Sequence, residues 1–171
     1  AGTLIIMIHA DAVYFLEGNI YLAYSAILDI FGIVALTGLV MALWRRYAMK
    51  PRRLRLGSLW DDVALLWLML AIVVSGFLLE SMRMGATELI SGPFEAHGAA
   101  FAGDLGIAHI NSEVVANPDW APWSPIGYAL ASLWSALGIS PDTMLTLHRV
   151  IWWTHLPMAL AWTAWLGYGK I

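Results

Sequence analysis

The stretch Tyr21–Trp44, YLAYSAILDIFGIVALTGLVMALW, carries one ionisable acid, Asp29, and no base, and it is followed at once by Arg45-Arg46-Tyr47-Ala48-Met49-Lys50-Pro51-Arg52-Arg53-Leu54-Arg55. A helix that crosses a bilayer needs about 20 apolar residues, so Tyr21–Trp44 reads as a membrane span. The basic run behind it reads as a cytoplasmic loop, because lysine and arginine collect on that side of a spanning helix. Six of the nine Lys and Arg residues fall in this run. Its place between two apolar stretches makes it a determinant of topology rather than a nucleic-acid patch.

Outward from that pair, Leu59–Met82 reads as a second span running back out, and Met144 to about Ile171 as a third running in. Composition agrees: 60% of the 171 residues are hydrophobic and 12% charged, more apolar than a soluble core of this size requires. Ten Trp and six Tyr fit a chain with two membrane interfaces to populate. The opening Gly2–His9 is too apolar for a soluble tail and too short to span, so it reads as the outer end of a truncated helix. Ser124–Gly138, bounded by Pro125 and Pro141, is apolar but too short to cross and reads as an interfacial or re-entrant helix on the outer face. Residues 85–122 gather acids, Gly, Pro and Asn and read as an extracytoplasmic loop, in which His97 and His109 are solvated. The expected fold is therefore all-α: an integral membrane bundle of three full spans, a truncated N-terminal span and a short outer helix. Residues 1–171 are expected to form one domain, cut at both ends, of a multi-pass protein of the cytoplasmic (inner) membrane.

There is no Cys, which removes iron–sulfur clusters, thiolate zinc sites and disulfides from this segment. Ionisable residues inside apolar spans are expensive and mark function by default; here they are Asp29, Glu80, Arg83, His148, Arg149 and His155, with His9 on the truncated helix. Neutral imidazole is the usual axial ligand of a buried haem iron. His148 and His155 are seven residues apart and so share a helix face, in a stripe with Trp152, Ala159 and Trp162. Their separation along the axis is about 10 Å at about 1.5 Å per residue. That is too short for two stacked haems and too long for one iron to take both. One of the two is a ligand to haem b and the other lines its pocket, with His9 the candidate second ligand from a facing helix. Arg149 and Arg83, at outer helix ends, suit haem propionates or lipid headgroups. Asp29 can take up protons, hydrogen-bond an inward helix or face a wet cavity. The residues alone also leave open a haem-free proton or ion relay through Asp29, Glu80 and the histidines, or a structural anchor.

The run Leu147-His148-Arg149-Val150-Ile151-Trp152-Trp153-Thr154-His155, followed by Leu166-Gly167-Tyr168-Gly169-Lys170-Ile171, resembles the final haem helix of the nitrate reductase gamma-subunit-like family. More narrowly, it resembles the membrane cytochrome b of heterodisulfide reductase and of related sulfite-reduction complexes. Tyr47-x-x-Lys50-Pro51-x-Arg53, Asp61-Asp62, Gly76-Phe77-Leu78-Leu79-Glu80 and Trp123-Ser124-Pro125-Ile126-Gly127 fit the same group. The resemblance spans nearly the whole chain except 85–122.

That likeness implies one or two b-type haems held between an early helix and the last helix. It also implies electron exchange between a menaquinone-type quinone and an iron–sulfur subunit or domain on the cytoplasmic side. His155 matches the family's outer haem ligand, and a further ligand is expected shortly beyond Ile171. Where one branch places a His directly after the early glycine, this chain has Thr3, and His9 is the available replacement.

Overall fold

The computed structural model describes residues 18–49, 60–87, 89 and 118–169. Among them every regular element is helical: α1 (Gly18–Trp44), a π-helical turn (Arg45–Met49), α2 (Trp60–Thr87), a 3-10 segment (Pro118–Trp123), α3 (Pro125–Ala136) and α4 (Pro141–Gly169). His9, His97, His109, Lys50 and the arginines at 52, 53 and 55 lie outside the described residues.

Two of the helical stretches, Gly18–Met49 and Asp62–Ala86, are long and apolar enough to cross a membrane. Their side chains are arranged opposite to those of a soluble core. On α1, Phe31 is 67% exposed and Val34 62%, whereas Asp29 is 1% exposed and Ser25 is buried. Ser75, Ser81, Ser124 and His148 are likewise buried. Polar groups turned inward under an apolar exterior are what a hydrocarbon solvent imposes, since each unsatisfied polar group there costs several kcal/mol. At about 1.5 Å per residue, the 29 residues of α4 are also long enough for a bilayer.

Contacts fix the directions. Gly32 on α1 lies under Phe77 on α2, where an added methyl would come within 2.5 Å of the ring. One end of that interface is closed by Trp67 Nε1, which donates to Tyr47 Oη at 3.1 Å. The helices are therefore antiparallel. α4 is antiparallel to α2 in turn, with Met144 against Gly85 and His155 against Ser75. One end of the bundle thus gathers the start of α1, the end of α2, all of α3 and the start of α4.

α3 and α4 are separated by a stop and a start written in successive residues. Gly138 takes φ +73°, its N–H donates to the Ser135 carbonyl at 3.0 Å, and the Ile139 N–H donates to the Trp134 carbonyl at 3.2 Å. This is the left-handed glycine ending of a helix. Ser140 then accepts the Thr143 N–H at 3.3 Å, and Pro141 opens α4 where a missing N–H costs nothing.

Several boundaries differ from the sequence reading, among them the start of the first span, at Gly18 rather than Tyr21, and the end of the expected loop, where Pro118–Trp123 is a 3-10 segment. The first span does not end in a plain loop at Trp44 but continues as a π-helical turn through Met49. α2 runs on to Thr87 instead of Met82, so Arg83 and Gly85 are helical and the connection begins later than residue 85. Gly85 does not punctuate the chain there, because its missing side chain makes room for Met144. α4 starts at Pro141 rather than Met144, since Ser140 and Pro141 already supply the helix start.

Candidate functional site

The stripe expected on the last helix is present as a burial pattern. His148 is buried, and Trp152, His155, Ala159 and Trp162 are half-buried, while Arg149, Val150, Trp153, Thr154, Leu160 and Ala161 are exposed. Spacings of three and four residues put the first group on one side of α4, the side packed on α2.

Both histidines are held through Nδ1. Ser75 Oγ gives its one hydrogen to the Ala71 carbonyl at 2.6 Å, with the Ile72 carbonyl at 3.1 Å. Its oxygen is therefore the acceptor for His155 Nδ1–H at 2.8 Å. His148 Nδ1 lies 3.0 Å from the Leu79 carbonyl, which can only accept. In each neutral ring the proton is thus on Nδ1 and the lone pair on Nε2, the tautomer that a metal-ligating histidine adopts when its other nitrogen is anchored.

The two sites differ in room. His148 is 6% exposed and closed between α4 and α2. His155 is half-buried and faces Gly76, where even an added methyl would make only ordinary contact, 3.7 Å from His155 Cε1. A flat macrocycle can approach His155 along a half-open stripe, whereas at His148 it would have to displace α2. Of the two, His155 has the more open surroundings for a ligand to a flat cofactor, and His148 is the enclosed one. Among the described residues no three His, Cys, Asp or Glu side chains converge as a metal cluster; a porphyrin iron asks the protein for two axial ligands at most. Arg83 is half-buried and within electrostatic reach of His148, while Arg149, next to it in sequence, is exposed. His9, the candidate second ligand, lies outside the described residues.

A second polar centre joins α1 to α3. Asp29 Oδ2 accepts the Ile126 N–H at 2.8 Å and the Gly127 N–H at 3.5 Å. These are the first free N–H groups of α3. The residue before the helix, Ser124, makes no side-chain capping bond; its hydroxyl pairs with Ser25 Oγ instead. A carboxylate from a different helix thus does the work of a cap. Glu80 reaches the same place from α2, its Cγ and Cδ 3.1 and 3.3 Å from where a Gly127 side chain would begin. Tyr21 stacks on Trp120 beside it, ring centroids 6.2 Å apart. Sequence reasoning marked Asp29 and Pro125 separately and did not join them; the only signal was an acid inside a span, since Ser124 before Pro125 reads as an ordinary cap.

Set against known proteins, no family model matches the chain, and no solved structure matches it. The chain is similar to a protein of Syntrophomonas wolfei subsp. wolfei named EtfAB:quinone oxidoreductase, with 29% identity over 156 residues. The match covers 91% of this chain but 19% of that protein, so the chain spans about a fifth of the length of the curated relative it matches.

Proposed function

We propose that this chain is the membrane part of a quinone-linked oxidoreductase, a helical module that holds haem b and passes electrons between a menaquinone-type quinone and a redox partner on the cytoplasmic side. The observation that carries the reading is His155 on α4, its Nδ1 bonded to Ser75 and its Nε2 carrying the lone pair on a half-open aromatic stripe. The name of the Syntrophomonas relative supports the quinone and the oxidoreductase class. In this reading α4 is a third span, the protein is a multi-pass protein of the inner membrane, and the family is the nitrate reductase gamma-subunit-like cytochromes b. The partner is an iron–sulfur subunit or domain.

Haem b, when bound, supplies a one-electron couple; the protein positions and tunes it. His155 would hold the iron, with His9 the candidate second ligand and His148 lining the pocket. Ser75 fixes the rotation and tautomer of His155, which raises the basicity of its Nε2. Arg83 would offer a cation for the propionates from the end of α2, while Arg149, exposed and off the stripe, suits a lipid headgroup.

The test is electron entry. Full-length protein purified in lipid is mixed anaerobically with a reduced menaquinone analogue, and the visible spectrum is followed. A haem b spectrum that turns from the oxidised to the reduced form supports the proposal. Protein that carries no Soret band, and gains none with added haem, overturns it.

A further inference from the structure

Asp29 is 1% exposed, and its two oxygens are treated differently. Oδ2 takes both N–H bonds from the start of α3. Oδ1 has no hydrogen-bond partner among the described residues. A buried ionised carboxylate with one oxygen left bare is costly in low dielectric, since the interior offers that atom nothing in place of water. Two helix N–H groups stabilise negative charge at Oδ2. The group is therefore built to be anionic at one oxygen and to receive something at the other. A proton is the species that fits without rearrangement: it adds to Oδ1, forms one O–H bond, cancels one negative charge and leaves the capping bonds of Oδ2 in place.

A second carboxyl approaches the same helix start. Glu80, half-buried on α2, brings a second carboxyl to Gly127, the residue whose N–H Asp29 accepts. Gly127 makes this close approach possible, because any side chain there would strike Glu80 and Met84. Tyr24, five residues before Asp29 on α1, lies within electrostatic reach of Glu80 and Tyr21, and Arg83 follows Glu80 by one turn. With Tyr21, these are the ionisable groups that the described residues of α1 and α2 bring to the site. The described residues of the 3-10 segment and the first turn of α3 bring Trp120, Ser124 and two backbone N–H groups to it.

We propose that Asp29 is a proton-exchange site of the bundle, with Oδ1 as the atom that gains and loses the proton and Glu80 as the neighbouring carboxyl through which it passes. Quinone reduction consumes protons and quinol oxidation releases them, so the site serves that chemistry; this last link rests on the function proposed above, while the proton site itself does not.

Infrared spectroscopy separates the two. Acid-minus-base difference spectra are recorded on the full-length protein in lipid, for the wild type, Asp29→Asn and Glu80→Gln. Asn keeps an oxygen acceptor for the Ile126 and Gly127 N–H groups but cannot be protonated. The expected result is a protonated-carboxyl carbonyl band that is lost in D29N, retained in E80Q with slower proton uptake after a pH jump, and shifted by carboxyl-13C aspartate in the unaltered protein. A spectrum that is the same in D29N and wild type, or a band indifferent to labelled aspartate, overturns the site. Labelling needs no variant, so the result stands even if D29N does not fold. Quinone turnover is then measured: a fall on the order of 10²-fold in D29N is expected, and unaltered turnover overturns the coupling. Wild type with no quinone turnover at all would overturn the proposed function and leave the infrared result intact.

Discussion

Ser75 on α2 and His155 on α4 meet at 2.8 Å, Oγ to Nδ1, and the serine hydrogen is already committed to its own helix. With that hydrogen on the Ala71 carbonyl the histidine is the donor, and its ring is held by a helix 80 residues away in sequence.

Removing that acceptor leaves the histidine but frees its ring. In Ser75→Ala the haem is expected to be retained less firmly, by about 10- to 100-fold in affinity, the usual effect of deleting the partner of a ligating histidine. The midpoint potential is expected to rise, because a less basic imidazole stabilises oxidised iron less. Potentiometric titration of the visible spectrum reads both. A potential and haem content equal to wild type would show that Ser75 does not act on the ligand.

The cap that Asp29 gives α3 has a stability consequence independent of any cofactor. Asp29→Ala strands the Ile126 and Gly127 N–H groups in an apolar setting and is expected to cost about 1–3 kcal/mol. Asp29→Asn keeps an acceptor and is expected to cost clearly less. Reversible unfolding in mixed micelles measures the difference, and equal losses for the two variants would argue against capping.

At the α2–α4 contact, a methyl on Gly85 would lie 2.7 Å from Met144 Sδ, and Met144 is 1% exposed with no room to retreat. Gly85→Ala is expected to destabilise by about 1–3 kcal/mol through overpacking. Shortening Met144 to Ala makes space, so Gly85→Ala should cost less in the Met144→Ala background than alone. A double-mutant cycle reports the coupling; strictly additive effects would contradict the contact.

The same glycine shows where sequence reading stops. Hydropathy suffices for α1 and most of α2, because a long apolar run with few charges has few other uses. Gly85 then looked like the beginning of a loop. Glycine in a sequence has two meanings, a break in the backbone or room for a neighbour, and only the position of Met144 decides between them. The stripe His148, Trp152, His155, Ala159, Trp162 was legible because helical spacing is local. The start of α4 was partly legible, since Ser140 and Pro141 are a helix start in their own right. The trans cap was not legible: Asp29 and Ile126 are 97 residues apart, and nothing local to either residue names the other. The same holds for Ser75, an ordinary serine in an apolar run until α4 is laid against it.

In the function proposed above, His155 holds the haem and His148, enclosed against α2, does not. The reduced-minus-oxidised visible spectrum of the full-length protein, with haem content measured per polypeptide, decides this for His155→Ala and His148→Ala in parallel. The expected result is loss of one b-type haem signal in His155→Ala, and in His148→Ala a haem retained with an altered band position or potential. A His155→Ala protein with unchanged haem content and spectrum would contradict the account.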